Sequence, residues 1–242
     1  MSNAIKYKQT FDFLSAPFLP TSPEPAVAYG RSDRLVAVAL GDLIADSLVS
    51  KAVITGGVGK DTQALLTQGY RSEAQFLNAQ LWEDSWERGY KLPDVWLDEK
   101  ALHRGENARN SVKRLGRLSS TTAVAHATQC RSLAASLEFA IAQKTGMRPT
   151  IHRKPTAYTF NPENPSDQAE AARELLILAD WSAKGWLLSQ PFLPEDLIDF
   201  ARDVHGTAPE PVSSLKTAVL HALPRRLRLR AIQAAAKAPV AR

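Results

Sequence analysis

A single cysteine, Cys130, stands in the 242 residues. One thiol excludes an internal disulfide and any CxxC metal or redox pair, and it fits a reducing compartment. Long apolar runs are missing as well. None approaches the ~20 residues that a membrane-spanning helix needs. The first ten residues are polar, carry Lys6 and Lys8, and lead into no apolar stretch of the kind a secretory signal requires. The expectation is a cytoplasmic protein without membrane insertion. No metal-spaced histidine cluster and no Ser-His-Asp signature occur, so no metal is expected.

Charge of one sign is scarce outside one place. The net charge is +5 and the pI about 9.4, but residues 225–230 read Arg-Arg-Leu-Arg-Leu-Arg. Without that run the chain is close to neutral, so the pI says little about the main domain. On a helix Leu227 and Leu229 stand about 200° apart and form no apolar stripe, which argues against a membrane-binding face. The leucines are expected to dock the segment on the protein, with no specific nucleic-acid partner.

What is present is an ordinary globular balance, 44% hydrophobic and 23% charged. Four prolines in residues 15–25 suggest a linker or surface arm. Residues 35–40 (Leu-Val-Ala-Val-Ala-Leu) are short, apolar and ended by Gly41, which predicts a buried parallel strand with a helix after it. Residues 52–55 predict a second strand, broken by Gly56-Gly57-Val58-Gly59. Further strands are expected at 95–97, 122–125 and 149–152. Helices are expected from 72, over 106–118, 131–144, 166–181 and 194–204, and from 212. The tryptophans at 82, 86, 181 and 186 lie at helical spacings and are expected in the core. The alternation implies an α/β, Rossmann-like, doubly wound and mainly parallel sheet of about five strands with additional C-terminal helices. The expected organisation is an N-terminal arm and linker over 1–30, the sheet domain over 31–155, and a mainly helical part over 156–242 packed on it.

Ligands of such sheets bind beyond the carboxyl ends of the strands. Polar clusters are expected there at Gly41-Asp42, Thr55 to Asp61, Asp98-Glu99 and His126 to Arg131. Gly56, Gly57 and Gly59 are suited to turning backbone amides onto an anion, with Lys60 adding charge. The loop lacks both the GK[ST] of a P-loop and the GxGxxG of dinucleotide-binding turns. Glu73 starts the next helix, where a carboxylate also serves simply as a first-turn charge. Glu106 is open to the same explanation, whereas Asn107 is a poor helix former that favours a polar contact. Arg131 is an anion-binding candidate, His126 a general base or a structural residue, and Cys130 a small buried residue.

The series Leu40-Gly41, Ile54 to Gly59, Ser72-Glu73-Ala74, Trp96-Leu97-Asp98-Glu99 and Gly105-Glu106-Asn107-Ala108-Arg109 resembles the ElyC/SanA/YdcF family, closest to its YdcF branch. Thr128-Gln129-Cys130-Arg131 resembles a later segment of that family. The likeness covers about residues 35–140. It departs at Thr55, at His103-Arg104 and around His126. The resemblance implies a Rossmann-like sheet and a nucleotide-type small ligand, with S-adenosylmethionine as the named candidate. Three functional classes stay open. They are a ligand-binding protein, a hydrolase or transferase acting on a phosphorylated or nucleotide substrate with Glu73 or His126 as acid/base, and a non-catalytic regulator or scaffold.

Overall fold

The computed structural model describes residues 2–59, 62–116, 118–188 and 193–206. Five strands form one all-parallel sheet: β1 Glu24–Tyr29, β2 Val49–Thr55, β3 Asp94–Asp98, β4 Ser120–Ala125 and β5 Thr150–Pro155. Their spatial order is β3-β2-β1-β4-β5. The chain winds outward from β1 to one edge, then crosses to β4 and winds to the other. The fold is a doubly wound, Rossmann-like α/β sheet whose order reverses between β1 and β4. Residues up to Gly206 make one compact unit. The basic run at 225–230 and the helix expected from 212 lie outside the described residues.

Side-chain alternation divides the strands between two cores. Ala26, Ala28, Ala52, Ile54 and Val124 face helices α2 (Leu35–Ala45) and α4 (Glu73–Arg88). Val27, Tyr29, Val53, Ala123 and Ala125 face α5 (Arg104–Leu115) and α6 (Cys130–Thr145). A short α3 (Ala64–Thr67) precedes α4. An outer group of α1 (Asn3–Ser15), α7 (Pro165–Ala183) and α8 (Glu195–His205) covers α6. Asn164 caps α7 by accepting from the amides of Ser166 and Asp167, and Pro165 follows at the first helical position.

Two expectations fail together. Residues 35–40 are not a strand but the first half of α2, and Gly41 does not end it. After Gly41 and Asp42 the apolar pattern resumes at Leu43 and Ile44, and the helix runs for 11 residues, longer than most buried strands. Apart from Asp42 it is apolar nearly all round, because the helix lies between the sheet and α4. A side chain at Gly41 would collide with Asp84 and the Tyr90 hydroxyl, so glycine there permits close approach of α4 and the turn after it.

The missing strand comes from the segment expected to be arm and linker. Within 1–30 the chain forms α1 and then β1, the centre of the sheet. Proline is excluded from the interior of central strands, but Pro25 sits where the β1–β2 register shifts, at the strand's beginning. The tryptophans also depart from expectation. Trp82 and Trp86 are 60% and 90% exposed on α4, and Trp186 is exposed too. Cys130 is buried as expected, and burial pushes its thiol up to about 12.

Candidate functional site

The β1/β4 reversal opens a cavity of about 650 Å³ at the carboxyl ends of the strands, a size ordinary for small-molecule sites. Tyr29, Gly30 and Arg31 continue from β1 into its floor. Gly59 and Thr62 come from the loop after β2, and Glu73 from the start of α4. Arg104 and Asn107 lie in the first turns of α5, Gln129 precedes α6, and Glu170 and Arg173 reach in from α7. Three helices therefore begin around this space, and their N-termini favour negative charge.

Glu73 owes its position to two glycines. A β-carbon at Gly30 would lie 2.5 Å from Glu73 Oε2 and 2.6 Å from its Cβ. A β-carbon at Gly56 would lie 2.6 Å from Oε2, and Gly56 has φ +150°, which favours glycine in any case. The ends of β1 and β2 thus leave a slot in which the carboxylate of α4 rests. The amides of Glu73 and Ala74 donate to the carbonyls of Gly57 and Gly56, fixing α4 against the loop.

The glycine loop is not an anion cradle, contrary to expectation. Gly56 N donates to Asp98 O at 3.0 Å, Gly57 N to Ala101 O at 2.8 Å, and Gly59 N to Thr62 Oγ1 at 2.9 Å. All three amides are satisfied within the protein. A β-carbon at Gly57 would stand 2.7 Å from Ala101 O, so this glycine lets two loops touch. Lys60 lies outside the described residues.

Behind the lining, Thr55 Oγ1 is in hydrogen-bond range of Asp98 Oδ2 at 3.0 Å and Asn107 Oδ1 at 3.2 Å. This ties the β2 end to α5 and holds Asn107 at the cavity. Glu99 accepts from Ser72 Oγ, the N-cap of α4, and Glu106 accepts from Leu102 N at the start of α5. Both carboxylates organise helix starts and do not line the cavity. His126 is buried and lies behind Glu170. Thr128 Oγ1 donates to Glu170 Oε1 at 2.9 Å, so its oxygen accepts from His126 Nδ1, also at 2.9 Å. His126 therefore carries its proton on Nδ1. Burial, and then the Arg31 charge, hold the imidazole below its ordinary pKa. For Glu170 burial acts upward, but the charge and hydrogen bond of Arg31, at 2.8 Å, prevail and hold it down.

Arg104 and Glu174 form a buried pair. Arg104 donates twice to the Glu174 carboxylate, which is 0% exposed, and Ser132 Oγ donates to it at 2.7 Å. Burial opposes the Arg104 charge, and Glu174 more than restores it.

Besides Glu99 and Glu106, three expected site residues lie away from the cavity. Gly41 and Asp42 are inside α2, where Asp42 pairs with Arg88 and Lys154. They leave the strand ends because residues 35–45 are a helix, not a strand. Arg131 projects from α6 away from the cavity, stacking on Phe13 and donating from Nε to Phe13 O. Gly59, Glu73 and Asn107 line the cavity as expected, with Thr55, Gly56 and Gly57 immediately behind. Sequence reasoning missed Arg31, Arg104, Glu170 and Arg173. Arg31 carried a signal that became visible only once β1 was recognised as ending at Tyr29. Those on α7 carried none, since nothing local to a helix says which sheet end it reaches.

Among the described residues no group of three or more His, Cys, Asp or Glu is placed to hold a metal, and no helix is long and apolar enough to cross a membrane. No protein-family model matches the chain, and no curated protein matches it significantly.

Proposed function

We propose that the cavity binds a nucleotide-type small ligand carrying both signs of charge, with S-adenosylmethionine the first candidate. The observation that carries this is the convergence of Glu73 and Glu170 with Arg31, Arg104 and Arg173 on one space at the sheet's reversal point. Much of the arginine charge is already met by Glu170 and Glu174. The satisfied glycine amides leave no nest for a polyphosphate. A mixed lining suits a zwitterion: the carboxylates meet a sulfonium or ammonium group, and an arginine meets a carboxylate. The likeness to the ElyC/SanA/YdcF family supports the same ligand class.

Heat unfolding in the presence of S-adenosylmethionine, S-adenosylhomocysteine, nucleotides and sugar phosphates tests it. A ligand at 100-fold its dissociation constant adds roughly 2.7 kcal/mol. S-adenosylmethionine should raise the midpoint, and Glu73→Gln should abolish the rise. No response to any of them would sink the reading.

A second reading, a hydrolase or transferase of phosphorylated substrates, is favoured by one observation. Arg173 is half-exposed at the cavity rim, and its only acidic contact among the described residues is Glu174 at 3.9 Å. Arg173 would then hold the phosphate, with Glu73 as acid/base. Turnover of a sugar phosphate or nucleotide, lost in Glu73→Gln, would establish it.

A further inference from the structure

A separate cavity of about 640 Å³ lies on the outer side of α6, between that helix and β5. Arg131 enters it from the first turn of α6 and Arg153 from β5, with Arg148 at its mouth. Arg148 is paired with the buried Glu138 at 3.2 Å. Arg131 and Arg153 have no carboxylate partner among the described residues.

The surroundings of these two guanidinium groups are specific. Each lies over an aromatic ring, Arg131 4.1 Å from the centroid of Phe13 and Arg153 6.0 Å from that of Phe18. Such contacts with a ring leave guanidinium N–H groups for other partners, closely so at Arg131 and at longer range at Arg153. Arg131 uses its Nε on Phe13 O. Arg153 Nε is buried with no hydrogen-bond partner. Phe18 is itself held in place, because its amide and carbonyl bridge to Arg153 across the free edge of β5. Burial and the neighbouring Arg153 charge hold Arg131 down to about 10, and burial lowers Arg153. Two like charges face one space, and an unpartnered donor points to a missing acceptor.

We infer that this cavity is a second small-molecule site, taking a phosphate-bearing anion between Arg131 and Arg153. A phosphate monoester carries close to two negative charges near neutral pH, which matches the two unpaired guanidinium groups. A carboxylate would neutralise one. The tetrahedral oxygens also accept from both N–H edges at once. The site is independent of the crevice, since Gln129 and Ser132 face that side of α6 while Arg131 faces this one.

The test uses inorganic phosphate as probe. Unfolding midpoints of the full chain are measured in graded sodium phosphate and in sodium chloride of equal ionic strength, alongside the Arg153 Nε–H resonance. Phosphate should raise the midpoint saturably beyond chloride and move that resonance. Arg153→Gln should raise the phosphate-free midpoint by removing an uncompensated charge, and should weaken phosphate binding at least about tenfold. Arg202→Gln, on the exposed face of α8 and away from both cavities, should leave the phosphate response intact. Equal responses to phosphate and chloride would overturn the inference. So would a response that survives Arg153→Gln, one lost in Arg202→Gln, or a lowered phosphate-free midpoint in Arg153→Gln. Should Arg153→Gln fail to fold, the wild-type resonance decides alone: unmoved by phosphate, it rejects the site.

Discussion

Gly30 and Glu73 occupy space that only one of them can fill with a side chain. An alanine at 30 would meet the Glu73 carboxylate and β-carbon and lie 3.0 Å from the Thr55 carbonyl. Gly30→Ala should therefore destabilise by about 1–3 kcal/mol, as overpacking does, and displace Glu73 from the cavity. In a Glu73→Gly background the same change should cost less, and urea unfolding of the four proteins measures the difference. The Arg104–Glu174 pair responds in the opposite sense, to removal. Glu174→Gln leaves a largely buried guanidinium without its charge partner. The expected loss is about 3–5 kcal/mol, against a surface control such as Asp199→Asn, whose exposed pair with Arg202 should contribute little.

At the scale of elements, the loops after β2 and β3 are pressed together at Gly57, which carries no unusual φ and is glycine because of the Ala101 carbonyl. Gly57→Ala should cost about 1–3 kcal/mol and weaken binding at the crevice, read by urea unfolding and by the ligand-induced midpoint shift. Elements are also where the sequence proved readable or not. β2, β3 and β4, with α4 to α7, were legible because their apolar periods are bounded by caps such as Ser72 and Asn164. The Leu35 run was ambiguous in principle: an all-apolar helix and an all-apolar strand share a pattern when both faces are covered. β1 was hidden by Pro25 at its start and by the three prolines before it. The glycine loop was correctly located, yet its amides turn into the protein, a fact set by the β3–α5 loop that local sequence does not encode. Arg131 lay in the right segment and on the wrong side of α6, since one residue along a helix turns a side chain by about 100°.

The whole molecule should lose stability in acid in two stages. His126 is held below its ordinary value of 6.5, so above pH ~6.5 it is neutral folded and unfolded alike. Below that the unfolded chain takes the proton first, and stability falls. Glu170 is held below 4.5, so its contribution is complete above that value and is lost as pH falls through the folded one. Urea midpoints at pH 7.5, 6 and 4 should decline stepwise, and His126→Asn should flatten the first step only. The order of the strands has a further consequence during synthesis. β1 pairs with β2 almost at once, but its other edge waits for β4, whose Thr122 meets Ala26. At about 5–20 residues per second the ribosome needs roughly 5–20 s to make that stretch. For that interval the nascent chain presents the open backbone edge of what will be the central strand of its sheet. Chaperone capture of ribosome-bound chains should therefore peak at lengths between the emergence of β2 and that of β4, and fall once β4 has closed the sheet.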